Sequence, residues 1–195
     1  TSAGYASSLV RVIPPGVAVP PETNSDVRLS ARQTLGKLIA DSPLGAPTPL
    51  AICFAALDEN PELPRLINVW RHVVKRLPDA RLWIFGVGRQ CADLNVQTEL
   101  SNLQDHVRFP GLLESWDELL AAADVFVELG SHVGTPHSLL HAMAAGLPIV
   151  AADNSNHRRY LTNHQHALLF TRDEGSALHQ AIQRLLTQPS LAAAL

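Results

Sequence analysis

Three histidines and two serines lie in the middle of the chain, where small residues are frequent. His137 and His141 are four positions apart, and His132 precedes them in the run Gly130-Ser131-His132-Val133-Gly134. On a helix, two imidazoles at this spacing share a face and can hold a metal ion. No glutamate completes a zinc-protease pattern, however, and the spacing fixes no third ligand. We therefore interpret the histidines as polar residues lining a cleft, and we expect neither a metal nor a cofactor.

Ser131 and Ser138 are the candidate nucleophiles. Serine hydrolases of the α/β type place the nucleophile at the centre of Gly-x-Ser-x-Gly on a sharp turn. Ser131 instead directly follows Gly130, and Gly134 comes three positions later. The spacing does not favour hydrolysis.

Three carboxylates follow apolar runs: Asp58, Glu59 and Asp153. If the runs are parallel strands, these side chains lie at the edge of the sheet where ligands bind. Solvated loop carboxylates are the simpler interpretation, and we adopt it.

Gly86-Val87-Gly88 separates an apolar run from a predicted helix, as in a dinucleotide-binding fingerprint. Cys91 occupies the position of the third glycine, which that fingerprint requires for close packing of helix and strand. We interpret the segment as a tight strand-to-helix turn that borders a cleft.

The stretch from Ala123 to Asp153 predicts a strand, a loop, a helix and a second strand. This order and length suit two parallel strands joined by a crossover helix. Ligands of such sheets lie beyond the carboxyl ends of the strands, which here is the loop from Leu129 to Pro136. Its small residues let backbone amides approach a ligand, and the helix that follows presents free amides and a positive dipole end. An anion such as a phosphate is the ligand this loop favours.

The other elements continue the alternation from residue 50 onward. Apolar runs predict six strands, and amphipathic spacing predicts the helices between them. The sequence therefore predicts an α/β fold with a doubly wound, parallel, Rossmann-like sheet of about six strands. The predicted strands are Leu50–Ala56, Ala80–Phe85, His106–Phe109, Val125–Val127, Pro148–Ala152 and Ala167–Phe170, and the main helices lie at about 63–77, 92–103, 115–122, 137–146 and 174–187.

The first 49 residues have a different character. A short β-type run at Leu9–Ile13 ends in a Pro-Pro-Gly turn, and a modest helix is predicted from Val27 to Ile39. We interpret 1–49 as a linker and helical segment and 50–195 as the core of a single domain. At helix starts we expect Ser115, with Glu118 three positions later, and Asp173 to be caps.

Composition narrows the function classes. The net charge of -3 with 17% charged residues gives no electrostatic case for nucleic acid. Apolar runs stop well short of a bilayer span, so we expect a cytoplasmic chain. The two cysteines have no metal or disulfide spacing, and Cys53, inside an apolar run, is expected to be a core residue.

Several segments, in order, resemble the C-terminal, donor-binding domain of a GT-B glycosyltransferase of the retaining family 4, or group 1. The matching pieces are Val12–Val17, Ala80–Gly88, Val107–Gly111, Ala123–Val127 and His141–Ala151. The resemblance implies one half of a GT-B architecture, whose N-terminal acceptor domain is absent from this sequence and would carry any membrane association. It implies a nucleoside-diphosphate sugar as donor and an unknown acceptor as partners.

The resemblance also implies the binding residues. They are Gly86, Gly88, Gly111, Leu112, Gly134, Thr135, His137, Ser138 and His141. The sequence departs from the family at its charged positions. Two glutamates of the family correspond to Val133 and His141, and its Arg and Lys, which clamp the diphosphate, correspond to Ala56 and Pro61.

Three hypotheses follow. The first is a domain that binds a nucleoside-diphosphate sugar for glycosyl transfer, with unidentified catalytic residues. The second is a degenerate, non-catalytic relative that binds a nucleotide or a protein, which the lost charged positions favour. The third is another enzyme on the same architecture, such as a sugar-nucleotide epimerase.

Overall fold

The computed structural model describes residues 15–39, 44–45, 48–58, 60–113, 116–130, 137–171 and 176–195. Six strands form one sheet in the order β3-β2-β1-β4-β5-β6, and each neighbouring pair is parallel. The strands are β1 (Leu50–Phe54), β2 (Arg81–Phe85), β3 (Val107–Gly111), β4 (Val125–Glu128), β5 (Ile149–Ala152) and β6 (Leu168–Phe170). The helices are α1 (Ser25–Leu38), α2 (Glu62–Arg76), α3 (Cys91–Leu100), α4 (Trp116–Ala122), α5 (His137–Ala144), α6 (Ala177–Thr187) and α7 (Pro189–Ala192). A 3-10 turn, His157–Arg159, follows β5.

Helices cover both faces of the sheet, so each central strand is buried on both sides. Along β1, Ala51 and Cys53 pack into the layer formed with α2, α3 and α6. Leu50 and Ile52, which alternate with them, pack into the layer formed with α1, α4 and α5. This explains why β1 is apolar without interruption, as parallel strands covered on both faces are. The predicted doubly wound fold is confirmed.

The order of the strands reverses direction between β1 and β4. These two strands pair in register, with Ala51 opposite Val125. Chain connections run outward from this pair in opposite directions, so the loops after β1 and β4 separate and leave a crevice. In open parallel sheets this crevice is where a ligand binds.

A cluster of charges attaches helix α1 to the end of the sheet where strands β1 and β4 begin. Asp124, just before β4, accepts hydrogen bonds from Arg28, from Arg32 (2.6 Å) and from the backbone N–H of Leu50 (2.7 Å). Arg32 is 1% exposed, and it also donates to the carbonyl oxygens of Ala122, Gly45 and Thr48 at 2.8–3.1 Å. The buried guanidinium of Arg32 thereby joins α1 to the segments that precede β1 and β4.

Helix boundaries differ from the predictions by a few residues, for local reasons. Helix α1 begins at Ser25 because the side chain of Asn24 caps the amides of Asp26 and Val27. Helix α3 ends at Leu100, and Asn102 then takes the left-handed conformation with φ 54°. The strand at Leu9–Ile13 and the caps Ser115 and Asp173 fall outside the described residues. Within the described ranges, every helix is too short or too polar to span a bilayer.

A histidine pair lies where α2 packs against α6. The rings of His72 and His179 have their centroids 5.5 Å apart. Partial burial, and secondarily the neighbouring His72, lower the pKa of His179 below its usual value.

From the lowered pKa of His179 we predict that the free energy of unfolding depends on pH. Because the pKa of His179 is lower in the folded state, the unfolded chain takes up protons more readily as pH falls through and below 6.5. The free energy of unfolding is therefore expected to fall from pH 7.5 to pH 5, and His179→Gln is expected to reduce the slope. Urea denaturation of both proteins at the two pH values measures this, and identical slopes would contradict the assignment.

Candidate functional site

The structure places the predicted site residues at one edge of the sheet. Gly86 and Gly88 follow β2, Gly111 ends β3 and Leu112 comes next, while His137, Ser138 and His141 lie in the first two turns of α5. All these positions border the carboxyl ends of the strands. Gly134 and Thr135 lie outside the described residues.

Gly86 and Gly88 seat the loop after β2 directly on the loop after β1. A Cβ atom at Gly86 would lie 1.8 Å from the carbonyl oxygen of Ala55, and one at Gly88 would lie 2.2 Å from the carbonyl carbon of Leu57. Backbone hydrogen bonds join the same loops, since the N–H of Leu57 donates to Val87 and that of Gln90 to Leu57, at 3.0 and 2.8 Å. The predicted tight turn is present. Its two glycines allow the loop after β2 to contact the loop after β1 closely.

Glu128 is a buried carboxylate that no motif in the sequence indicated. It ends the otherwise apolar β4 and is 3% exposed. The backbone N–H of Gly130 donates to its Oε1 at 3.1 Å, and the hydroxyl of Ser138 donates to its Oε2 at 3.2 Å. One side chain thus binds residues on both sides of the segment 131–136. Ser138, a candidate residue of the sequence, is engaged here as a donor, and Ser131 lies outside the described residues.

A buried histidine from the segment after β5 lies close to this carboxylate. Nε2 of His157 lies 3.8 Å from Oε1 of Glu128, and Nδ1 donates to the carbonyl oxygen of Ala152 at 2.7 Å. Gly130 has φ 71°, and a Cβ atom there would lie 2.5 Å from Nδ2 of Asn154. The exits of β4 and β5 are therefore packed together, and a side chain at Gly130 would require Asn154 and His157 to shift.

His141 contacts an aromatic stack at the end of β1. The ring of Trp116 lies 5.1 Å from that of His141, centroid to centroid. On its other side Trp116 stacks on Phe54 at 4.3 Å, with the planes 5° apart. His141 is half-buried. The planes of Trp116 and His141 are tilted by 35°, so His141 packs against the edge of this stack without extending it.

The loop carboxylates Asp58 and Asp153 each bind an arginine, while Glu59 lies outside the described residues. Oδ1 of Asp58 accepts from the backbone N–H of Arg89 at 2.9 Å and from its Nε at 3.4 Å. Arg158 donates to both oxygens of Asp153, at 2.5 and 2.7 Å. The hydrogen bond from the Arg89 backbone lowers the pKa of Asp58, and that from the Arg158 side chain lowers the pKa of Asp153. Both carboxylates are thus ionised, and neither is suited to act as a general acid.

The described residues contain no group of side chains suited to a metal ion, and the thiol of Cys53 is buried. No group of three His, Cys, Asp or Glu side chains suited to a metal occurs among them, and His132 lies outside them. Cys53 is fully buried, as expected, and burial, with a smaller effect from Glu128, raises its thiol pKa.

Two clefts lie away from the carboxyl ends of the strands. Their volumes are 730 and 510 Å³, and both are lined by residues preceding and within α1 and by residues of α4. Neither borders the carboxyl ends of the strands. We assign the candidate site to the crevice between β1 and β4 because the strand order, rather than cavity size, determines where backbone amides converge.

The family model and the curated relatives that match this chain indicate the same family. The model of the family described as glycosyl transferases group 1 matches residues 48–188. The lipopolysaccharide core biosynthesis glycosyltransferase LpsE of Rhizobium meliloti is 26% identical over 153 residues, which cover 73% of this chain and 45% of LpsE. LpsD of the same organism is 30% identical over 118 residues, which cover 60% of this chain and 34% of LpsD. The chain therefore spans less than half the length of these curated relatives.

The fold is that of solved GT-B structures. Anabaena HepE, crystallised with UDP and glucose, has a TM-score of 0.79 to this chain at 20% identity. The similarity covers 99% of this chain and 52% of HepE.

Proposed function

Since the chain belongs to the group 1 glycosyltransferases, we propose that it binds a nucleoside-diphosphate sugar in the crevice between β1 and β4 and presents it for transfer of the glycosyl group. The acceptor would bind on the N-terminal domain that the length of the relatives implies. Nucleic acid is not expected as a partner.

One observation carries this proposal: α5 begins after β4, one of the two strands at the reversal point of the strand order, and Glu128 at the end of β4 binds Gly130 and Ser138 on either side of residues 131–136. A helix start presents unpaired N–H groups and a positive dipole end, which stabilise a phosphate. HepE, which has the same fold, was crystallised with UDP, and this supports a diphosphate as the ligand of the crevice.

The chemistry would use this anion site for the leaving group. As the bond between the sugar and the diphosphate breaks, its electron pair goes to the diphosphate oxygen, and the N–H groups at the start of α5 would stabilise that charge. The acceptor hydroxyl forms the new bond to the sugar, and its proton would pass to the diphosphate oxygen that has gained the electron pair. We assign no catalytic base, because Glu128 is buried and already bound on both oxygens, and Asp58 and Asp153 each hold an arginine.

Calorimetric titration of the chain with UDP, GDP and ADP tests the proposal. We expect one of the three to bind more tightly than millimolar. Millimolar or weaker binding of all three would refute a donor site in this chain and favour a non-catalytic interaction module. That second candidate is supported by Ala56 and Pro61, two exposed, uncharged residues at the exit of β1.

His141→Ala tests the placement of the ribose. If the half-buried imidazole bonds a ribose hydroxyl, its loss should weaken binding of the nucleotide about fivefold, as expected for one neutral hydrogen bond of ~1 kcal/mol. Calorimetry with the best-bound nucleotide measures this, with His72→Ala, an exposed histidine on α2, as control. Equal affinity of His141→Ala and the unmodified chain would remove His141 from the site.

A further inference from the structure

Glu128 is the polar residue of a strand that is otherwise apolar, since Val125, Phe126 and Val127 precede it. Strand β4 lies between β1 and β5, and Glu128 itself pairs with Ala151 of β5. Its backbone is therefore fixed by the centre of the sheet. A buried carboxylate costs free energy unless hydrogen bonds replace the lost water, and both oxygens of Glu128 accept one.

The two hydrogen bonds hold the chain where it leaves β4 and where it enters α5. Gly130 is two residues beyond Glu128, and Ser138 is the second residue of α5. We propose that Glu128 is a positioning residue for the diphosphate: through Ser138 it sets the position of the first turn of α5, whose free N–H groups would bind the phosphates. This inference rests on the proposed function and gives Glu128 a role that needs no contact with the ligand.

The direction of the Ser138 hydroxyl supports this role. It donates to Oε2 of Glu128 at 3.2 Å, so the hydroxyl is used inside the protein. What Ser138 then offers a phosphate is its backbone N–H, whose position depends on where the first turn of the helix lies. Binding by such preorganised donors weakens when they are displaced, because hydrogen bonds depend steeply on distance and angle.

His157 packs beside the carboxylate and restricts its movement. Nε2 of His157 lies 3.8 Å from Oε1 of Glu128, and the two side chains are 2% and 4% exposed. Nδ1 of the same ring bonds the carbonyl oxygen of Ala152 at 2.7 Å. The turn that carries the ring is held by Asn154, whose side chain accepts from the backbone N–H groups of Asn156 and His157 at 2.9 and 2.8 Å. A carboxylate packed in this way cannot follow a displaced helix, as a positioning residue requires.

The experiment compares the unmodified chain with Glu128→Leu, Glu128→Gln and Ser138→Ala. Each is titrated calorimetrically with UDP, GDP and ADP, with the corresponding nucleosides, and with inorganic pyrophosphate. Glu128→Leu removes both acceptors and should weaken the preferred diphosphate and pyrophosphate about tenfold, with the nucleoside unchanged. Glu128→Gln should restore the affinity, because its amide oxygen can accept from Gly130 and its amide N–H can donate to the hydroxyl oxygen of Ser138.

A double variant, Glu128→Leu with Ser138→Ala, separates positioning from direct contact. If Ser138 acts through Glu128, Ser138→Ala alone should weaken pyrophosphate about fivefold and the double variant only about tenfold, as Glu128→Leu does. If the Ser138 hydroxyl bound phosphate independently, the two losses would multiply to about fiftyfold.

Thr98→Val is the matched control for the loss of a hydroxyl. The buried hydroxyl of Thr98 donates to the carbonyl oxygen of Leu94 at 2.8 Å within α3, which packs on the other face of the sheet from α5. Its loss should lower the midpoint of thermal unfolding and leave the affinity for pyrophosphate unchanged.

The outcomes separate this inference from the proposed function. If the unmodified chain binds a nucleoside diphosphate and Glu128→Leu binds it equally well, the positioning role is overturned and the proposed function stands. Equal weakening of nucleoside and diphosphate, a Glu128→Gln variant as weak as Glu128→Leu, or multiplied losses in the double variant would also overturn it. If the unmodified chain binds none of the nucleotides, both fail. Thermal unfolding verifies the fold of each variant, and if Glu128→Leu does not fold, unchanged pyrophosphate affinity of Ser138→Ala overturns the role.

Discussion

Replacing Gly86 by alanine is expected to destabilise the domain by about 3 kcal/mol or more. The added methyl carbon would lie 1.8 Å from the carbonyl oxygen of Ala55, which is backbone and cannot rotate away. Gly86 also has φ 153°, a conformation that side chains with a Cβ rarely adopt. Relief requires the loops after β1 and β2 to separate, which breaks the hydrogen bond from Leu57 to Val87. Urea denaturation measures the loss as a lower midpoint.

Substitutions at two other glycines separate the steric clash from the strain of a positive φ. At Gly111 a Cβ atom meets nothing within 4 Å but φ is 82°, so Gly111→Ala should cost only the conformational strain, of order 1–2 kcal/mol. Gly16 has neither a close neighbour nor a positive φ, and Gly16→Ala should remain within about 0.5 kcal/mol of the unmodified chain. Should Gly86→Ala be as stable as Gly16→Ala, the loops after β1 and β2 could not be in this close contact.

Replacing Asp124 by alanine is expected to cost about 3 kcal/mol. The substitution leaves the nearly fully buried Arg32 without this carboxylate, and it removes the acceptor for Arg28 and for the N–H of Leu50. Arg32 keeps its carbonyl acceptors but loses its opposite charge, which is costly because the protein interior solvates a charge poorly. We expect the loss as a lower urea midpoint, accompanied by faster hydrogen exchange in α1, which this cluster attaches to the sheet.

The control for Asp124 is Asp153→Ala, which removes another arginine-bound carboxylate. The Arg158 side chain is 67% exposed and returns to water, so the loss should be at most about 1 kcal/mol. A comparable loss from the two substitutions would show that burial of Arg32 contributes nothing to the stability of the α1 attachment.

Most of the fold could be predicted from local sequence. The run Leu50–Phe54 is apolar throughout because helices cover both faces of its strand, and α2 shows the 3.6-residue period because one of its sides is buried. The order of the strands could not be obtained in this way. Pairing of β1 with β4 depends on contacts between residues that are distant along the chain, which periodicity does not report.

The site was predictable where backbone geometry determines it and unpredictable where distant side chains meet. Gly86 and Gly88 indicated a tight turn because only glycine permits that approach. The pairs Arg89–Asp58 and Trp116–His141 join separate loops and helices, so no spacing indicates them. Glu128 did leave a signal, since a carboxylate that ends a buried strand at the ligand edge requires polar partners close by.

The single seam between β1 and β4 has a consequence for how the chain folds. Strands β1 to β3 and β4 to β6 each form from neighbours in sequence, whereas Leu50 and Asp124, which bond across the seam, are 74 positions apart. Two half-sheets can thus collapse early, and their docking, which closes the longest loop, is expected to limit the refolding rate. A nucleotide bound at the seam would bind only the docked form, so it would slow unfolding and leave the early collapse unchanged.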